Sequence, residues 1–207
     1  MKTKAYFYYD LISPFTYFFL KSKGILQERL ELIPVPIFAA GLFRLQNNRG
    51  PAEVAQKRDY TYQFCVWKAQ QLKIPFQFPP RHPFASAPAQ RLLLQIGADL
   101  ETLERAFDFV WANGNDPELQ WEAFCVAIGL DKSTPKPNDD TVKQVLIDST
   151  QAASEQGVFG VPSLRIESQV FWGSDSIDWI LAYLENPSMF DEPAFKKALS
   201  TINPLKN

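Results

Sequence analysis

The rhythm of apolar and polar positions changes three times along this chain, and each change marks a different kind of element. Ala5-Tyr6-Phe7-Tyr8-Tyr9 is short, aromatic and rich in strand formers, and Asp10-Leu11-Ile12-Ser13-Pro14 closes it with helix-start chemistry. A buried first strand is the natural reading. Pro14 suits the first turn of a helix, where a missing N–H costs nothing, and Phe15, Phe18, Phe19 and Leu20 supply its apolar face as far as about residue 28. Residues 30–37 read as a second strand with prolines toward its end, at a β-α-β spacing that favours parallel pairing.

From Phe38 to Asp148 the period lengthens to three and four residues, over 60–72, 89–96, 100–111 and 119–128. This is a helical block. Its breaks at Arg49-Gly50-Pro51, Pro79-Pro80-Arg81-His82-Pro83 and Thr134-Pro135-Lys136-Pro137 are loops rather than linkers between independent domains. Residues 142–155 form a further helix, after which strand texture returns: 163–167, a turn at Ser168-Gln169, and 170–172, a hairpin. Gly173 breaks it, and Ser174 or Asp175 can cap a helix over 177–184. The order is β-α-β, helical insertion, helix, β-β-α, an α/β fold.

Composition narrows the function. The chain has 207 residues, is 46% hydrophobic and can bury a full core. A net charge of -2 with no basic face argues against nucleic acid as a partner, and any anionic ligand must be held by local groups. No run approaches the roughly 20 apolar residues of a membrane helix. The start lacks the features of a signal peptide, so a cytoplasmic location and no membrane partner are expected. Cys65 and Cys125 lie far apart, without CxxC or metal-ligand spacing, and read as buried reduced thiols; no metal is expected.

Three stretches carry candidate chemistry. Ser13-Pro14-Phe15-Thr16 lies between the first strand and the first helix, where unpaired N–H groups and the helix dipole favour an anion and a hydroxyl can donate to a thiolate. Its bland alternative is a simple cap by Ser13. Phe159-Gly160-Val161-Pro162-Ser163 precedes the hairpin; a cis bond before Pro162 would offer the Val161 backbone to an extended peptide, against the commoner trans proline opening a strand. Trp172-Gly173-Ser174-Asp175 could bind an α-amino acid end, its carboxylate on N–H groups and its ammonium on Asp175, or could just cap a helix.

Taken together, these stretches resemble the thioredoxin superfamily in its DsbA-like branch, with Ser-x-x-Thr where redox members have Cys-x-x-Cys. Within it the sequence is similar to the kappa-class glutathione transferases and the 2-hydroxychromene-2-carboxylate isomerases. The likeness runs through Tyr9-Asp10-Leu11-Ile12-Ser13-Pro14-Phe15-Thr16-Tyr17, Asn48, Gly50-Pro51-Ala52-Glu53, Lys57-Arg58, Trp67, Ile74-Pro75-Phe76 and Arg81-His82-Pro83-Phe84, then through the Val161-Pro162 and Phe171-Trp172-Gly173-Ser174-Asp175 segments.

The resemblance implies a discontinuous thioredoxin-like domain, 1–37 with 149–207, around a helical insertion, 38–148. It implies glutathione as cofactor, with Ser13 holding the sulfur, Val161 before cis-Pro162 pairing with the cysteinyl backbone, Ser174 and Asp175 on the γ-glutamyl end, and Asn48 and Lys57 near the glutathione or substrate site. The isolated Lys57 also fits an ordinary solvated face. A small aromatic or electrophilic substrate and a homodimer are implied too. The chain departs from the pattern at Ala85, where relatives usually have Asn, and at Ser176, where Arg is frequent.

On this basis the expected activity is glutathione-dependent isomerisation of an aromatic-derived conjugated keto acid. A kappa-like transferase and a non-catalytic glutathione- or peptide-binding module are the alternatives. The Phe-Trp-Gly hairpin end and the His-Pro-Phe stretch favour the isomerase branch. Phe38, Phe43, Tyr60, Tyr62, Phe64 and Trp67 are candidates to line an apolar substrate pocket. His82, the only histidine, sits in a proline-rich stretch that suits a structural role.

Overall fold

A computed structural model describes residues 2–202. Its centre is a four-stranded sheet of order β2-β1-β3-β4, with β1 at Thr3–Tyr9, β2 at Leu30–Pro36, β3 at Ser163–Ile166 and β4 at Gln169–Trp172. β1 runs parallel to β2, Thr3 opposite Leu30 and Tyr9 opposite Pro36, and antiparallel to β3, Phe7 opposite Leu164. β3 and β4 form the hairpin. An interior strand is covered on both faces, which is why β1 is aromatic on both sides of its pleat.

On one face Phe7 stacks on Phe19 of α1 (Pro14–Ser22) at 4.8 Å, and Tyr9 meets the edge of Phe107 at the end of α6 (Leu100–Phe107). On the other, Tyr8 packs with Leu42 of α3 (Ala39–Leu45) and Ala153 of α8 (Asp140–Glu155). The rest of the helical block comprises α4 (Ala55–Leu72), α5 (Ala87–Gln95) and α7 (Trp121–Ala127). After the hairpin come α9 (Ile177–Glu185) and α10 (Pro193–Leu199). Among the described residues no helix is long and apolar enough to cross a membrane.

Several boundaries differ from the sequence reading for local reasons. The first helix stops at Ser22 and restarts as α2 (Gly24–Gln27), because the buried Lys23 turns inward, donating to Leu20 O at 3.0 Å and pairing with Glu104 of α6. The helix expected over 100–111 ends at Phe107 and opens into a wider π turn over Asp108–Ala112, which contains the fully buried Trp111. The hairpin turn falls one residue early, at Glu167-Ser168, with Glu167 at φ 53. α8, capped by the Asp139 carboxylate on Val142 N, starts two residues before the helix expected over 142–155. α3 and α10 had no counterpart in the periodicity.

Candidate functional site

Ser13 sits where β1 gives way to α1, nearly buried at 7% exposure. It is the helix cap: its Oγ accepts from Thr16 N at 3.2 Å, and its own proton goes to Val161 O at 3.3 Å. The capping and ligand readings of this residue are therefore compatible, since one oxygen has lone pairs for the helix and one proton for a partner. Among the described residues the Phe15 N–H has no acceptor. The carbonyls one turn before it are already engaged, leaving an orphan donor at the positive end of the helix dipole.

The loop leading to Ser13 is held from several directions. Leu11 N donates to Gln90 Oε1 of α5 at 3.3 Å, and Leu11 O accepts from Trp111 Nε1 at 2.9 Å. Ile12 N donates to Asp10 Oδ1, and Ile12 O faces His82 Nε2 at 2.9 Å. Ser13 N closes the turn on Asp10 O at 3.0 Å. Gln90 further donates from Nε2 to Tyr9 O and Ile37 O, tying the ends of β1 and β2 to the same side chain.

Asp10 is fully buried at the base of this loop. Burial pushes its carboxyl up to about 6, opposed by the N–H groups of Ala39 and Ile12; the Ser86 hydroxyl lies beside it but lacks an ordinary hydrogen-bond geometry. His82 is held below the usual imidazole range, chiefly by burial. Because Ile12 O can only accept, His82 Nε2 carries the proton and Nδ1 is left to face the Tyr62 hydroxyl at 2.7 Å. His82 is thus a brace beneath the loop, among Phe78, Phe84 and Trp111, as its proline-rich setting suggested.

Across from Ser13 the Val161–Pro162 peptide is cis. The Val161 N–H has no partner among the described residues, so this backbone offers a donor and, once Ser13 lets go, an acceptor to an extended chain. Pro162 O accepts from Gly173 N at 3.0 Å, which seats the turn holding Ser174 and Asp175 next to the same strand. Gly173, at φ +97, adopts a backbone conformation in which a side chain would be strained. A Cβ at Gly160 would lie 2.5 Å from Nε1 of the half-exposed Trp172, so the indole would have to shift. The expected cap by Ser174 or Asp175 is corrected: Ser176 is the N-cap of α9, and its Oγ donates to Gly173 O at 2.8 Å. Ser174 and Asp175 are thereby left uncommitted to the helix.

Asn48 and Lys57 are exposed, and no hydrogen bond or ion pair among the described residues joins them to the Ser13 group. Lys57 does share a helix face with Tyr60 and Phe64, and Phe64 packs 6.1 Å from Phe15 in the Ser13 motif. The aromatic candidates divide among separate places. Tyr60, Phe64 and Trp67 form a strip along α4; Tyr62, on the other side of that helix, joins Phe78 and His82; Phe43 packs on Gly50; Phe38 lines a cavity beside α8. A period of 3.6 residues separates position 62 from 60, 64 and 67, so these side chains cannot share one pocket.

Burial raises both thiols, Cys65 to about 12, so neither is a reactive thiolate. Thr16, the last residue of the Ser-x-x-Thr motif, is buried with no partner for its hydroxyl among the described residues. The residues that sequence reasoning missed are Asp10, Gln90 and Trp111. The aspartate two positions before an N–H it can cap was a legible local signal. No local signal marks Gln90 or Trp111.

Against known proteins, the DSBA-like thioredoxin domain profile matches residues 6–185. A 2-hydroxychromene-2-carboxylate isomerase of Sphingobium xenophagum is 27% identical over 194 residues, spanning 86% of this chain and 96% of that protein. A protein of Caenorhabditis elegans named glutathione S-transferase kappa 2 is 27% identical over 207 residues, spanning 87% and 91%. A solved 2-hydroxychromene-2-carboxylate isomerase structure superposes with a TM-score of 0.76 at 23% identity, over 96% of this chain and 100% of that one.

Proposed function

The chain belongs to the DSBA-like thioredoxin family, and from that membership together with the site we propose a glutathione-dependent isomerase acting on an aromatic-derived conjugated keto acid of the 2-hydroxychromene-2-carboxylate type. The carrying observation is the Ser13 hydroxyl, at the start of α1, donating to the Val161 carbonyl. A cysteinyl N–H that takes Val161 O releases the Ser13 proton. The hydroxyl then turns to the glutathione sulfur while continuing to cap Thr16 N. Binding the tripeptide and stabilising its thiolate become one event.

The sulfur lies at the helix start beside the orphan N–H of Phe15 in this reading, and each pKa unit by which the thiol falls from about 8.5 is worth roughly 1.4 kcal/mol. Ser174 and Asp175 receive the γ-glutamyl end. Lys57 supplies local positive charge, and Asn48 a polar contact, from the insertion. The thiolate adds to the conjugated substrate, forming a carbon–sulfur bond and pushing the electron pair onto the enone oxygen. Rotation follows about the former double bond, and the same carbon–sulfur bond breaks to return the thiolate. Glutathione is regenerated and no net redox change occurs. A disulfide mechanism is disfavoured because position 13 is Ser and position 16 is Thr.

A kappa-like transferase, in which the carbon–sulfur bond persists, is the second reading, favoured by the likeness to glutathione S-transferase kappa 2. Incubation with glutathione and 2-hydroxychromene-2-carboxylate, followed by chromatography and a thiol count, tests the choice. Rearranged substrate with glutathione undiminished is expected; a stoichiometric conjugate would establish transfer, and no turnover of this acid or of a panel of electrophiles would leave a binding module.

A further inference from the structure

We infer that the chain carries a second ligand site, outside the Ser13 groove, for a small amphipathic monocarboxylate: a cavity of about 470 Å³ walled by α3, α8 and the start of α5. Phe38, Leu45, Leu146 and Ile147 give it an apolar interior. Arg44, Arg91 and Lys143 also line it, and no acidic side chain does. In a chain with 21 basic and 23 acidic residues, that separation of charge around one hollow defines the ligand's head group.

Two of the cations retain uncompensated charge. Arg91 is anchored by carbonyls alone, Nε on Ala87 O at 3.2 Å and Nη1 on Pro137 O at 3.0 Å, which orient the guanidinium without neutralising it. Arg44 has no ion pair among the described residues. Lys143, at the exposed rim, pairs with Asp140 at 3.1 Å. α5 adds the positive end of its dipole, since its first residue, Ala87, lines the cavity. The volume falls within the range of small-molecule sites, about 300–1,000 Å³. Leu45 and Ile147 are half exposed at its mouth, so a ligand can enter without the fold opening.

The site is distinct from the proposed glutathione groove, because Ser13, Val161, Ser174 and Asp175 are not among its walls. It is not remote from it in the chain: Phe38 and Ala87 are the neighbours of Ala39 and Ser86, the residues beside the Asp10 carboxyl.

Titration calorimetry with 2-naphthoate, on protein saturated with S-methylglutathione, tests the inference. One saturable site is expected, with 2-naphthamide binding at least about ten-fold more weakly. Ile147→Glu should weaken naphthoate by about ten-fold or more while Ile147→Lys binds as well as wild type or better. Position 147 is half exposed, and thermal unfolding of the two variants confirms that both fold. Equal affinities for Ile147→Glu and Ile147→Lys, or for acid and amide, would overturn the assignment. So would naphthoate binding seen only in the absence of S-methylglutathione, which would place it at the proposed glutathione site. A dimer that Ile147→Glu dissociates would instead make this face a contact between copies of the chain.

Discussion

The two sides of the proposed glutathione site are built in opposite ways. On the β1–α1 side, the backbone groups of Leu11 and Ile12 are met by the adjacent Asp10 and by Gln90, Trp111 and His82 from across the fold, all largely buried. On the side proposed for recognition Asn48, Lys57 and Asp175 stand exposed, and Ser174 sits in a turn held by Gly173 N on Pro162 O and by Ser176 N and Oγ on Gly173 O. The contrast separates two physical tasks. A group that must orient a proton toward a sulfur needs a fixed backbone, and fixing it costs buried polar groups that must all be satisfied. In the proposed function the groups that meet the charged ends of a flexible tripeptide need reach and access to water, and little folding energy is invested in them.

Removing the most connected clamp breaks the contrast most severely. Gln90→Leu leaves Leu11 N and Ile37 O unpaired in the core, at about 1–3 kcal/mol each, while Tyr9 O keeps the Ile37 N–H, so a loss of about 3 kcal/mol in urea unfolding is expected. A loss under about 1 kcal/mol would mean the loop holds without it.

Asp10 sharpens the same point through pH. Its folded value of about 6 lies above the ordinary 3.8, so the native state binds the proton more tightly than the unfolded chain. Its stabilising contribution is complete below the unfolded value and is lost as pH rises through about 6, a decline of roughly 3 kcal/mol. The stability difference between wild type and Asp10→Asn, followed by urea unfolding from pH 4 to pH 7.5, should move by that amount against wild type; a difference independent of pH would contradict a buried, titrating carboxyl.

On the exposed side the expected effects are small and of another kind. Lys57→Ala and Asp175→Asn should leave stability within about 0.5 kcal/mol and weaken glutathione binding several-fold, measured by calorimetry. If either variant lost as much stability as Gln90→Leu, the division of labour would be wrong.

The same division explains what could be read from the sequence. β1, α1 and the hairpin were legible because each is specified by neighbours: an aromatic run, a proline at the first helical position, Gly173 after Trp172. Ser13 and Val161 stood out as members of short motifs, and the fold brings them into contact. The clamp was not visible, because Gln90 meets Leu11 across 79 residues and Trp111 meets it across 100, and neither side chain announces a partner locally. The break at Lys23 escaped notice for the same reason, since its cause is Glu104. Asn48 and Lys57 came only from the resemblance, and exposed polar residues carry no pattern by which a site is told from a solvated face.

The central claim, a glutathione thiolate stabilised by the Ser13 hydroxyl at the start of α1, is tested most directly by ultraviolet titration of the enzyme-bound thiol. In wild type the thiol should ionise about one unit or more below its free value near 8.5, and in Ser13→Ala it should return toward that value while glutathione still binds. The same bound pKa in both proteins, or no binding at millimolar glutathione, would contradict it.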